Sequence, residues 1–384
     1  MNTVIAEIDG LRQPVDTGFI VHNRINYPNL IEMFRHLGVA TEDSDMSFAV
    51  SARDGALEYA GGRGFRGLFA QSRNIANPAF WRMISDIVRF NRLAAADLDL
   101  PEDISLADWL GAKSFGKAFR DDHLLPMTAA IWSASTGKML DFPAAALFRF
   151  LHSHGLLRVR DRPQWRTVRG GCKTYVDAVI RDFTGNVFTS TPVVSIDRHA
   201  KGARVYLEDG ETQEYDAVVM ATHADTSLSL LRDPDDAERA VLGAFGFAQN
   251  RAVLHRDRAF MPKRRAAWAS WNYLIPESGG SGNPGNGLVT YWMNRLQNIS
   301  AVEDVFVTLD PPEEPRGTIA AFDYRHPQFD TAAIRAQRSL PDIQGNRNTW
   351  FCGAWCGYGF HEDGLAAALR VAADFGAPAP WNAA

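Results

Sequence analysis

Cysteine is scarce in this chain: only Cys172, Cys352 and Cys356 occur in 384 residues. Three thiols cannot close a disulfide framework, so reduced cysteines and a cytoplasmic protein are expected. Cys352 and Cys356 lack a second ligand pair, and no metal site is predicted. No apolar run approaches the ~18 residues of a membrane span, and the N-terminus lacks a basic-then-apolar signal pattern. A net charge of -5 and a pI near 6.1 leave no basic footprint, so nucleic acid is not an expected partner. There is no internal repeat, and low complexity is confined to the Gly/Ser-rich residues 277–286, expected as a flexible surface loop. Neither a P-loop nor a Ser/His/Asp arrangement at recognisable spacing occurs.

What is present is ordinary globular material, 46% hydrophobic and 22% charged, long enough for two domains. The most informative stretch is TWFCGAWCGYGFHEDGLAAALRVAADFG, residues 349–376. Its opening apolar run predicts a buried strand. After Cys356-Gly357-Tyr358-Gly359 the period becomes helical, with Leu365, Leu369, Ala372 and Ala373 on one face and Glu362 and Asp363 in the first turn. A strand thus runs through glycines into a helix N-terminus, whose amides suit an anion or the electron-rich edge of a ring. The same pattern also serves as a plain connection in an α/β domain.

Taken in order, the chain opens with a predicted hairpin around Asp9-Gly10, then a helix near residues 30–37 closed by Gly38. A second strand pair is expected around Asp54-Gly55. Residues 61–154 read as helices rich in Trp and Phe, with Ser105 and Asp108 as a helix-start signal. Beyond Arg169-Gly170-Gly171 come a helix at 173–183 and short strands at 186–188, 192–197, 203–207 and 217–221, then a helix at 225–231. Strands dominate again from 243 to 333. Alternation in one of them sends Trp271 and Tyr273 to one face and Asn272 to the other.

Several of these stretches together resemble the flavin-containing amine oxidase-like oxidoreductases. They are VDTGFIVHN at 15–23, LGV at 37–39, RGGCKTYV at 169–176, TPVVSI at 191–196, YDAVVMATHAD at 215–225 and FCGAWCGYGFHEDGL at 351–365. A bacterial subgroup is the nearest likeness, through LHRDRAFMPKRRAAWASWNYLIP, YWMNRLQ and GYGFHEDGL. The resemblance implies an α/β fold with a Rossmann-like FAD-binding domain, built from 1–60, 160–242 and 340–384. A substrate domain of mixed sheet and helices would use 61–159 and 243–339.

It further implies FAD as cofactor, with backbone contacts from Thr17, Gly18, Phe19 and Ile20 along the flavin ring. Val193 and Val194 would meet the adenine, and Ala221, Thr222 and His223 the adenosine half. Gly353, Ala354, Trp355, Gly359, Phe360, His361 and Glu362 would lie at the flavin end. His361 and Glu362 are the candidates for catalytic proton transfer, and Asn272, Tyr273, Trp292 and Asn294 for substrate contact. The alternative for each is a packing or capping role.

Two departures from the family pattern stand out. Relatives open with a strand, a G-x-G-x-x-G turn, a helix and an acidic residue for the ribose, whereas this chain opens at Met1-Asn2-Thr3-Val4. A missing N-terminal unit is therefore expected, with an open strand edge, uncovered apolar surface and weak or no FAD binding as consequences. Gly353-Ala354-Trp355 also lacks the acidic residue often found beside the flavin, and Phe360 stands where amine oxidases carry tyrosine. The implied activity is dehydrogenation of C–N or C–C bonds in a small or apolar substrate. A fatty-acyl or isoprenoid chain is the second substrate expectation, and a cofactor-free remnant without redox activity is the reading from another class.

Overall fold

A computed structural model describes the chain except residues 102, 133–135, 159–160, 277–286 and 383–384, so the Gly/Ser-rich stretch lies outside the described residues. In chain order, the elements that bear on function begin with strands β1 (Thr3–Ile8) and β2 (Leu11–Asp16) and helix α1 (Pro28–His36). Strands β3 (Val193–His199), β4 (Gly202–Leu207), β5 (Thr212–Tyr215) and β6 (Val218–Met220) follow. Strand β7 (Ala320–Gln328), helix α2 (Thr331–Ile343), strand β8 (Thr349–Phe351) and helix α3 (His361–Asp374) complete the set. The backbone forms two compact units, one of residues 1–26, 39–176 and 248–326, the other of 27–38, 177–247 and 327–384. Compactness and cofactor contact are different criteria, and these boundaries are not those of the expected FAD and substrate domains.

In the first unit, Asp9 (φ 50°) and Gly10 (φ 73°) form the tight turn that joins β1 to β2, with Ile8 opposite Leu11. Both turn residues need positive φ, which is why this pair of residue types announced the hairpin. Similar chemistry at Asp54-Gly55 joins strands Phe48–Ala52 and Leu57–Gly61, the antiparallel end of a seven-stranded sheet. At the opposite edge of that sheet lies β7. The helical block follows its predicted starts: Ser105 Oγ accepts the Asp108 amide at 3.1 Å, opening helix Leu106–Lys113. Its aromatics are core, with Phe90, Phe119 and Phe148 buried and Trp109 edge-on to Phe148 at 4.7 Å.

The second unit is layered. β6 and β8 pair in parallel, Val218 opposite Thr349 and Met220 opposite Phe351. One face of this pair, carrying Met220 and Phe351, buries against an antiparallel meander, order β5-β4-β3, and against α2; Ile196, Val205, Leu340 and Ile343 share that core. On the other face Trp350 packs with Cys352, Ala367 and Val371 under α3. The outer edge of β8 is closed by a side chain: Gln344 donates to the Phe351 carbonyl and accepts its amide, each at 2.9 Å. Among the described residues no strand pairs with the outer edge of β6, and Val219 there is 45% exposed. Residues 186–188, expected as a strand, are irregular, with Val187 and Phe188 exposed. No strand partner is offered to them, so their apolar composition alone does not make a ladder.

Candidate cofactor site

The junction from β8 to α3 depends on glycine. Gly353 sits at φ 152°, and a Cβ there would meet the Trp355 indole nitrogen at 2.7 Å. Trp355 can then fold under the turn and donate Nε1–H to the Thr222 carbonyl at 3.0 Å. Gly357 makes room for Asp363, whose Oδ2 accepts the amides of Tyr358 at 3.1 Å and Phe360 at 2.9 Å. That is the back-bonding half of a capping box, supplied from the third residue of α3. Burial lifts Asp363 to about 6. A Cβ on Gly364 would lie 3.4 Å from the Ala354 nitrogen, so the first turn of α3 packs beside the strand end.

Glu362 does something the sequence did not announce. α1 has no side-chain cap of its own from Tyr27. Instead Glu362 Oε1 accepts from the Asn29 amide at 2.9 Å and Asn29 Nδ2 at 2.7 Å, while Oε2 accepts the Leu30 amide at 3.0 Å. A carboxylate from the first turn of one helix therefore caps another. Tyr27 lies buried beside this pair, and burial, then Asp363 and Glu362, push its phenol up. His361 is the first residue of α3, and burial pushes it down to about 4, so the ring is neutral at neutral pH.

The carboxyl ends of the parallel pair lie side by side, tied by Cys352 N–H to Met220 O at 3.0 Å and by the Trp355 to Thr222 bond. In α/β sheets ligands bind outside such ends. Ala221 and Thr222 are exposed there, and His223 stacks on Phe247 with ring centroids 4.3 Å apart. On the meander the pairing of β3 slips between Val193 and Ser195, and Val194, at this bulge, is 50% exposed.

Thr17, Gly18, Phe19 and Ile20 belong to the first compact unit and follow β2. Just before them the Asp16 carboxylate is buried and accepts from the Cys172 amide at 3.0 Å, Gln297 Nε2 at 2.8 Å and Thr3 Oγ1 at 2.5 Å. This explains Arg169-Gly170-Gly171-Cys172: a Cβ on Gly171 would meet Thr3 at 2.7 Å and crowd Asp16. Cys172 Sγ donates to the Phe19 carbonyl at 3.3 Å, and Thr167 Oγ1 donates to that of Ile20 at 2.9 Å.

The expected substrate residues Asn272, Tyr273, Trp292 and Asn294 all belong to the first unit. Asn272 is fully buried, donating to the carbonyls of Ala269 and Thr290 and accepting the Ala269 amide. Tyr273 is buried with its hydroxyl accepting the Gly287 amide at 3.2 Å, and burial pushes its phenol up to about 12. Asn294 bridges the Glu303 carbonyl and the Val305 amide. Trp292 lies edge-on to Trp268 at 5.4 Å and lines a cleft of about 460 Å³ with Asp43, Asp45, Arg295 and Asn298.

A G-x-G-x-x-G spacing does occur at residues 62–67, and again at 280–285 outside the described residues. The first follows an antiparallel edge strand and opens a helix of only five residues, Gly64–Leu68. A pyrophosphate-binding turn needs a parallel βαβ unit, so this match is spacing without its context.

The fold and these strand ends define a two-domain FAD-dependent oxidoreductase of mixed α/β class. The chain belongs to the flavin containing amine oxidoreductase family, whose match spans residues 2–375. It is similar in structure to a fatty acid isomerase from P. acnes that produces CLA (TM-score 0.65, 14% identity, covering 95% of this chain and 88% of that one). Putrescine oxidase bound to putrescine is comparable, at TM-score 0.64 and 14% identity over 97% and 90%. So is cyclohexylamine oxidase from Brevibacterium oxydans, at 0.65 and 12% over 94% and 88%. Among curated proteins no sequence matches.

In the second unit the α3 N-terminus meets the carboxyl ends of the parallel pair, where Ala221 and Thr222 are exposed and Gly353 and Ala354 half-buried. No helix is long and apolar enough to cross a membrane, and no group of three or more metal-ligating side chains occurs, both among the described residues.

Proposed function

We propose that this flavin-dependent oxidoreductase dehydrogenates a C–N or C–C bond of a small or apolar substrate. The observation that supports it most is the junction of β8 and α3, where Gly353 and Gly357 let the strand end turn tightly over Trp355 and Asp363 into the amide end of the helix. FAD, when bound, supplies the two-electron acceptor. The backbone at residues 359–362 is assigned to the pyrimidine edge of the ring, and that at 17–20 to its plane. Ala221, Thr222 and His223 are assigned to the adenosine half, with Val193 and Val194 at the adenine.

His361, neutral at physiological pH, is the residue assigned to hold or move a proton, because a neutral imidazole both donates and accepts. Glu362 receives no such role, since both its oxygens cap α1. An apolar substrate suits Phe360 and the absence of an acidic side chain in Gly353-Ala354-Trp355. The fatty-acyl or isoprenoid chain remains the second reading on the same grounds.

Titration of FAD into the protein, read by quenching of flavin fluorescence, tests the cofactor. Saturable quenching is expected, and its absence up to millimolar FAD refutes the reading. Anaerobic mixing of the loaded protein with a panel of amines and of fatty acids then separates the substrate classes by bleaching of the visible flavin band.

A further inference from the structure

Gly18 is exposed, and nothing lies within 4 Å of where its Cβ would be, yet Asp16 and Thr17 immediately before it are almost completely buried. Open backbone of this kind frays unless its neighbours are held. Asp16 is held as described above. Thr17 is held by a closed ring of three residues. Asn2 Nδ2 donates to the Tyr324 hydroxyl at 2.8 Å and to the Thr17 hydroxyl at 3.1 Å, and the Tyr324 and Thr17 hydroxyls lie 2.7 Å apart. Thr17 Oγ1 points to the Asn2 carbonyl at 3.4 Å, and the Thr17 amide donates to that same carbonyl at 3.0 Å. With each hydroxyl giving one proton, one circuit satisfies all: Asn2 amide to Tyr324, Tyr324 to Thr17, Thr17 to Asn2.

Of the three, Tyr324 is the one fixed to a sheet. Phe322, Tyr324 and His326 alternate on the half-buried face of β7 while Ala321, Asp323 and Arg325 are exposed. The Phe322 ring lies nearly parallel to Tyr324, 6.0 Å away and tilted by 9°, which limits where the hydroxyl can go. We propose that Tyr324 is the positioning residue of residues 17–20, fixing through the Thr17 hydroxyl the backbone assigned to the flavin. The inference rests on that assignment and adds to it the residue that holds the segment still.

The test is a double-substitution cycle in the full chain with Tyr324→Phe and Thr17→Val, read by hydrogen exchange and by FAD titration. Tyr324→Phe removes one hydroxyl and leaves the ring stack, so faster deuterium uptake is expected in peptides covering 15–20, with uptake elsewhere in β7 unchanged. FAD affinity is expected to fall roughly 2- to 12-fold in Tyr324→Phe, the range of one hydrogen bond, at least as far in Thr17→Val, and no further in the double than in Thr17→Val alone. The visible spectrum of bound flavin should shift alike in all three, a signature that general loosening would not produce. Unchanged exchange at 15–20 in Tyr324→Phe overturns the proposal, as does a double variant whose loss is the product of the single losses. If the unsubstituted protein binds no FAD, the cofactor reading fails. The exchange arm still decides whether Tyr324 holds the segment.

Discussion

Removing the Glu362 carboxylate should destabilise the protein rather than disable its chemistry. In Glu362→Ala the amides of Asn29 and Leu30 and the Asn29 side chain lose their acceptor together. Losing a helix cap costs about 1 kcal/mol, and losing a negative charge at a helix N-terminus up to about 1 kcal/mol more. Glu362 and Asn29 are half-buried, so water replaces part of the loss, and about 2 kcal/mol in total is expected. For a cooperative unit of this size that is about 4–8 °C in Tm, readable by calorimetry.

Glu362→Gln keeps an oxygen acceptor without the charge and should recover about half. The helix packing gives an independent readout, since α1 and α3 belong to one compact unit and exchange at residues 28–32 should rise in step with the loss of stability. A Glu362→Ala protein with unchanged Tm but a turnover lowered many-fold would refute this reasoning and restore Glu362 as a proton-transfer group.

Two further outcomes follow from the same junction. Asp363 is raised by burial from 3.8 to about 6, so the folded state holds its proton more tightly than the unfolded chain. The stability this confers is complete below about pH 4 and is lost as pH rises through about 6, so Asp363→Asn should flatten Tm against pH in that window; an unchanged slope would refute the assignment. Gly353→Ala places a Cβ at positive φ against the Trp355 indole and should cost about 2 kcal/mol or more, while wild-type stability in that variant would show that the turn relaxes freely.

Local chemistry was legible in the sequence wherever the structure settles it locally. Asp9-Gly10, Asp54-Gly55 and Ser105 with Asp108 announced their turns and helix start because a few adjacent residues satisfy the backbone there. The strand-to-helix change across residues 349–376 is of the same kind. α2 begins with an Asp330 side-chain cap and carries Pro341 inside its last turns. The partners that define the site were not legible for a different reason. Glu362 meets Asn29 across 333 positions, and Thr17 meets Tyr324 across 307. A hydroxyl or carboxylate in sequence gives no sign of which distant donor it will face. The backbone partners of Asn272, Tyr273 and Asn294 were equally out of reach of the sequence.

Among the described residues β6 pairs on one side only, and this has a thermodynamic consequence. A strand of three residues with a ladder on one flank contributes little to its own order, and its carboxyl end is kept in place by the Trp355 indole and the core beneath. That end is also where the nucleotide is assigned. Any molecule that binds only the ordered arrangement must therefore contribute to folding, by an amount that grows with the logarithm of its free concentration over its dissociation constant. Cofactor occupancy and the melting of this unit are then one equilibrium seen from two sides, and the FAD dependence of Tm measures the affinity without reference to any substrate.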